Sequence, residues 1–330
     1  MTTTATTVPT DLTFAAVEHA AEVVAAEVAP TPLLSHPLLD RSVGARVLVK
    51  HENALPTSAF KIRGGIYLAS ALGDEEVAGG LVTCSTGNHA QSIAHAARLA
   101  GTTATVVMPG CAPEGKRAAV EALGARVVVE GDTMADAAAG ARQLAAAGAA
   151  YIDPTDPRII LGHATLYLEL FRARPDLAAV YVPIGSGTGA VGACLVRDRL
   201  APGCRVVGVQ STAAPAVWRS WRSGEIQSAE ATTRASGLAT SNGYPNTHPL
   251  LRAGLQDFLL VPDEDLDAAA RRLATVAHTL AELAGAASLA GLLADPARPG
   301  TARPGSPDRP VAVVVTGGNA SSDEIARLSA

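Results

Sequence analysis

Along the chain, short β-branched runs alternate with longer stretches whose apolar residues recur every three or four positions. The runs at 46–52, 80–85, 103–109, 125–130, 179–187, 205–210, 257–262 and 310–318 show no polar alternation, the mark of strands covered on both faces. Between them, 61–71, 88–100, 113–123, 133–147, 162–173, 188–199 and 263–294 carry the helical period. Strand and helix in alternation predict an α/β fold of open parallel sheets in three layers. Eight strands are many for one sheet, so a two-lobed chain is expected. "DPTDPR" (153–158) interrupts the period and reads as a crossing point between lobes. "DPARPGTARPGSPDRP" (295–310) precedes a strand and reads as a surface loop, and 1–10 as a flexible tail. The stretch 212–250, with Trp218, Trp221 and Tyr244, has little periodicity and reads as a cover over a pocket or as irregular surface.

Composition removes several classes of function. Hydrophobic residues make up 48% and charged residues 17%, the proportions of a compact globular chain. With aromatics at 3%, the core has to be built from Ala, Val and Leu. A net charge of −5 without clustered basic residues leaves no footprint for nucleic acid or an anionic membrane. Cys84, Cys111, Cys194 and Cys204 stand apart, without metal-binding spacing, as small apolar residues of a reducing compartment. With no basic-apolar leader and no apolar run of membrane-spanning length, a soluble cytoplasmic protein is expected.

Four stretches carry candidate chemistry, each where a strand should end, the place where open parallel sheets bind ligands. "PTSAFKIRGG" (56–65) holds Lys61, one of three lysines against twenty-three arginines. Arginine is not deprotonated in proteins, whereas a lysine amine can be tuned to act as nucleophile or base. A helix N-terminus and an apolar neighbour, Phe60, would both disfavour its charged form. "CSTGNHAQS" (84–92) places Ser85, Thr86 and Asn88 at a helix start, either a site for a carboxylate or a plain N-cap. "PIGSGTGAVG" (183–192) leaves the backbone bare at Gly185, Gly187 and Gly189, with hydroxyls at Ser186 and Thr188, a cradle for a phosphate or a simple turn. It lacks the Gly-Lys-Ser/Thr of nucleotide hydrolases, and "RVVGVQ" (205–210) ends in Gln210 where a dinucleotide site wants an acid. "VVVTGGNAS" (313–321) ends a strand in Thr316, followed by bare backbone that can approach a flat ligand or merely turn. Together they suit a ligand with one phosphate, one group that reacts with an amine and a hydrogen-bonding edge. Pyridoxal phosphate has these features.

In order and spacing the motifs resemble the tryptophan-synthase-β-like (fold type II) pyridoxal-phosphate enzymes, in their threonine/serine dehydratase branch, over about residues 15–330. The resemblance implies that Lys61 is the Schiff-base lysine, preceded by Phe60, and that Asn88 meets the phenolic oxygen of the cofactor. It implies a phosphate loop of Gly185, Ser186, Gly187, Thr188 and Gly189, with Thr316 at the pyridine nitrogen. Gly237 of "RASGLAT" (234–240) and Glu282 of "AELAGAAS" (281–288) would line the cofactor. Ser85, Thr86, Asn88, His89 and Thr240 would bind the substrate. It further implies a large cofactor-binding domain of 1–52 and 154–330, a small domain of 53–153 inserted in it, no C-terminal regulatory domain, and a homodimer. The chain departs from the family at Ala59, where serine is usual. It also has Gln210, Ala214 and Ala216 where metal-dependent relatives carry acidic ligands, so no metal is expected.

The activity so implied is that of a dehydratase, an ammonia-lyase acting on a small-molecule amino acid. It would remove the β-hydroxyl of threonine, serine or a related 3-hydroxy amino acid and release a 2-keto acid and ammonia. The alternatives within the family are β-replacement, suggested by the Gly-Ser-Gly-Thr-Gly loop, and racemisation, which needs an acid/base on the opposite face where the motif offers Thr86. A non-catalytic binding protein or a nicotinamide-dependent oxidoreductase leaves Lys61 without a role. His89 and His163 read as packed or capping side chains with no part in proton transfer.

Overall fold

The computed structural model describes residues 8, 10–112, 114–298 and 309–329; most of the expected tail at 1–10 and of the loop at 295–310 lies outside them. The chain divides into two compact units. One takes the chain up to Val28 together with Lys61–Thr165, and the other takes Ala29–Phe60 and the chain from Leu166 onward.

The second, larger unit is built on six strands: β1 (Leu33–Ser35), β2 (Val47–His51), β7 (Ala179–Pro183), β8 (Arg205–Ser211), β9 (Asp257–Val261) and β10 (Val311–Val315). Their order is β1-β2-β10-β7-β8-β9, and all neighbours run parallel except the short edge strand β1. β2 and β10 are buried along their whole length; β10 is accordingly an unbroken apolar run, while β2 ends in the buried Lys50 and His51. Its helices are α2 (Pro37–Val43), α9 (Thr188–Leu200), α10 (Ala216–Ser223), α11 (His248–Gly254), α12 (Asp263–Val276), α13 (Leu283–Ala294) and α14 (Ser322–Arg327). The core joins Val47, Val209 and Val313 of the sheet to Leu273 of α12 and Leu289 of α13. Gly291 lets α13 settle directly on β8, because a Cβ there would collide with Val209. A core short of aromatics is thus closed by bringing alanine- and glycine-rich helices near the sheet.

The first unit has four parallel strands, β3 (Leu81–Cys84), β4 (Ala104–Met108), β5 (Arg126–Val129) and β6 (Ala150–Tyr151), in the order β5-β4-β3-β6. Around it lie α1 (Phe14–Glu27), α3 (Lys61–Ser70), α4 (Asp74–Gly79), α5 (Asn88–Leu99), α6 (Glu114–Glu121) and α7 (Met134–Ala146), while α8 (Pro157–Ala173) contributes residues to both units.

Three stretches differ from their sequence expectation. α8 starts at Pro157 rather than near 162, because Asp156 caps it by accepting the Arg158 N–H at 2.8 Å. The helical stretch 263–294 breaks after α12, where His278 is left-handed (φ 51°) and the Thr279 N–H reaches back to the Leu273 carbonyl at 3.1 Å. Segment 212–250 is partly helical and fastened down. Trp218 Nε1 donates to the Phe258 carbonyl at 2.9 Å, and the Trp221 ring meets Phe258 edge-on at 5.8 Å. Among the described residues, no helix is long and apolar enough to cross a membrane.

Candidate active site

In the larger unit Phe60, Thr316 and the loop 185–189 follow the C-terminal ends of three adjacent strands, β2, β10 and β7, while Gly237 and Thr240 come after β8 and α10 and Glu282 directly precedes α13. After β7 the chain enters Gly185, where a Cβ would collide with the Gly237 carbonyl oxygen. Gly187 is left-handed (φ 89°) and is the N-cap of α9. The Ser186 carbonyl is held by the Thr247 hydroxyl at 2.6 Å, so the planar peptide turns the Gly187 N–H away from Thr247. A Cβ on Gly189 would lie 3.3 Å from the Phe60 ring and 3.6 Å from the Tyr167 hydroxyl. That hydroxyl is buried without a hydrogen-bond partner. Side-chain-free backbone, the N-terminus of α9 and an orphan hydroxyl together fit a group the size and charge of a phosphate.

After β10, Thr316 is buried and its carbonyl accepts the Phe60 N–H at 2.9 Å. Ala59 pairs with Gly317, and the Ser58 carbonyl accepts the Gly318 N–H at 2.8 Å. These bonds hold Ser58 in a left-handed conformation (φ 52°) uncommon for a side chain of its kind. The Gly317 carbonyl also accepts the Glu282 N–H at 3.1 Å, and α13 comes so close that a Cβ on Gly285 would collide with the same oxygen. A Cβ on Gly237 would lie 2.7 Å from the Ala284 methyl. The candidates of this unit therefore close a circuit: Gly185 on Gly237, Gly237 on Ala284, Glu282 on Gly317, Thr316 on Phe60 and Phe60 on Gly189. Thr240 is tied in by Gln210, whose Nε2 donates to its hydroxyl at 3.2 Å while Oε1 accepts the Trp218 N–H at 3.0 Å. Among the described residues no group of three or more His, Cys, Asp or Glu is placed to hold a metal ion.

In the first unit, Lys61 opens α3. Loss of water around its amine brings its pKa down from 10.5 to about 8. His89 and His163 lie close enough to feel that amine. Burial first, and the Lys61 charge second, lower the His89 pKa to about 3 and the His163 pKa well below 6.5. Thr83 uses its one proton on the Ile152 carbonyl (3.0 Å), so His89 Nε2 is the donor across the 3.1 Å to Thr83. His89 Nδ1 is left as a buried acceptor without a partner. Gly87, not a serine or asparagine, is the N-cap of α5 and supplies no side-chain cap; Ser85 Oγ accepts the Gly87 N–H at 3.2 Å, and Asn88 is the first helical residue. The amides of the first turn of α5 are thus not taken up by a capping side chain, an arrangement that suits a carboxylate. Thr86 is half-buried in the same loop.

Ser92, which donates to the Lys61 carbonyl at 2.6 Å, is not among the residues expected from sequence, and Gln210 stands there only as a missing acid. The available signal was the position of each hydroxyl or amide on a face that should be apolar.

A family model described as pyridoxal-phosphate dependent enzyme matches residues 24–317. The L-threonine ammonia-lyase of Thermotoga maritima is 33% identical over 301 residues, 90% of this chain and 73% of that one. The L-threo-3-hydroxyaspartate ammonia-lyase of Saccharomyces cerevisiae is 37% identical over 239 residues, 72% of this chain and 73% of that one. Among solved structures, that of maize serine racemase matches with a TM-score of 0.88 at 28% identity, over 96% of each chain.

Proposed function

The chain belongs to the pyridoxal-phosphate dependent enzymes, and from that premise we propose that it eliminates the β-hydroxyl of a small hydroxy-amino acid and releases a 2-keto acid and ammonia. The observation that carries this reading is a lysine with an amine pKa of about 8, one peptide bond after Phe60, the residue packed on both the glycine cradle and Thr316.

Pyridoxal phosphate, when bound, supplies an electron-withdrawing ring that stabilises negative charge at the substrate Cα. Gly185, Ser186, Gly187, Thr188 and Gly189 would hold its phosphate through backbone amides, hydroxyls and the start of α9. Thr316 would meet the ring nitrogen with a neutral hydroxyl and no counter-charge, Asn88 the phenolic oxygen, and Gly237 and Glu282 the flank of the ring. Lys61 Nζ would bind the cofactor covalently and, once displaced by the substrate amine, take the Cα proton. Ser85, Thr86, Asn88, His89 and Thr240 would orient the substrate through its carboxylate and side chain.

Release of keto acid from L-threonine, L-serine and L-threo-3-hydroxyaspartate tests the reading. Ammonia and keto acid in equal amounts from at least one of them is the expected result. A second reading, racemisation, draws on the likeness to maize serine racemase, with the Thr86 hydroxyl as its acid. Inversion at Cα without keto acid would favour it. A cytoplasmic homodimer is the assembly carried by the first reading, and light scattering of the purified protein measures its oligomeric part.

Capture of the cofactor by the apo-protein should rise with pH and level off above about 8, because the neutral amine is the nucleophile. At pH 7 the neutral fraction is then roughly three-hundredfold that of an ordinary lysine. Stopped-flow absorbance across the pH range checks this, and a midpoint near 10 would contradict a buried amine.

A further inference from the structure

Two side chains from different helices converge on the backbone carbonyl of Lys61. Ser92, on the buried face of α5, donates its hydroxyl at 2.6 Å. His163, on α8, is hydrogen-bonded to the same backbone in a way that favours its protonated form. A bond of that sign is one the ring donates, so its acceptor is the carbonyl. The two glycines after Ile62 and Arg63 give the donors room. A Cβ on Gly64 would lie 2.7 Å from His163 Nε2, and one on Gly65 would lie 2.6 Å from Ser92 Oγ; Nε2 makes no hydrogen bond, so Nδ1 is the ring nitrogen that donates. Both donors are buried, at 1% and 0% exposure, so water does not compete for the carbonyl. The charged or titratable groups facing His163 are Lys61, Arg63 and His89, and burial keeps the ring neutral among them.

We propose that Ser92 and His163 are positioning residues that clamp the main chain of Lys61, so that its amine is presented in one place. The inference rests on the reading of Lys61 as the cofactor lysine. Lys61 is the first residue of α3, where helices fray, and its side chain has four rotatable bonds. A misplacement of about 1 Å at a reacting group costs up to ~100-fold in rate. Anchoring the root of the side chain from two helices removes one source of that misplacement.

The test compares Ser92→Ala, His163→Asn and His163→Leu with the parent, using apo-protein and pyridoxal phosphate. In Ser92→Ala the rate of covalent cofactor attachment should fall about tenfold, and kcat should fall about tenfold with KM within about twofold. His163→Asn keeps an N–H donor near the place of Nδ1 and should stay within about threefold of the parent, while His163→Leu should fall as Ser92→Ala does. Ser92→Ala indistinguishable from the parent in attachment rate and kcat overturns the proposal. Equal losses in the two His163 variants overturn the part assigned to His163. Should His163→Leu not fold, Ser92→Ala decides, since it removes a single oxygen. Borohydride reduction and peptide mapping of the parent tests the underlying reading separately. Attachment at another residue overturns that reading and this inference with it, whereas attachment at Lys61 with an unaffected Ser92→Ala overturns the inference alone.

Discussion

Lys61→Ala should lose turnover by ~10⁴-fold or more while remaining folded, because nucleophile and base leave together. No other lysine can stand in. Lys50 is buried, its amine donating to the Thr31 carbonyl at 2.9 Å and paired with Glu169, and Lys116 lies on α6. The substitution also removes an amine whose charged form is disfavoured by burial, so the melting temperature should match or exceed that of the parent. Keto-acid release, the visible absorbance of lysine-bound cofactor and thermal unfolding, measured together, separate lost chemistry from lost fold. Turnover near the parent rate would remove Lys61 from the mechanism.

Gly185→Ala should weaken cofactor binding by ~10- to 100-fold, the equivalent of about 1–3 kcal/mol of overpacking. The added methyl would meet the carbonyl oxygen of Gly237, which is backbone and cannot rotate aside. Either the glycine loop or the turn at Ser236–Leu238 must move, and that turn is itself seated on Ala284 of α13. Gly115→Ala is the matched control, since a Cβ there meets nothing within 4 Å. Titration of each apo-protein with pyridoxal phosphate measures the effect. Unchanged affinity in Gly185→Ala would show that the loop is not the phosphate cradle.

Residue type made the architecture and much of the candidate site legible from sequence. Val-rich runs such as 311–315 read as strands covered on both faces, and a bare Gly-Ser-Gly-Thr-Gly stretch ahead of a helix suits an anion, though a plain turn would read the same. Features set by tertiary partners were not legible. Ser92 and His163 lie far along the chain from the carbonyl they share, and nothing in "QSIAH" or "LGHAT" points to Lys61. Gln210 read as a lost acid because its partners, Thr240 and the Trp218 amide, could not be known. β1 and β6, at three and two residues, are too short for a period to register, and the alanine-rich α1 blurs its own apolar stripe. The break after α12 falls at His278, with neither glycine nor proline to announce it.

The place of β10 bears on how the protein is made. It lies between β2 and β7, yet β2 ends at His51 and β10 does not begin until Val311. A nascent chain on the ribosome therefore carries β2 and β7 from Pro183 until Val311 is made with the slot between them open, two apolar edges available for wrong pairing. The four strands of the first unit, by contrast, are all translated by Tyr151 and can pair early. Chaperone dependence should thus trace to the wait for one strand, the same strand that delivers Thr316 to the site.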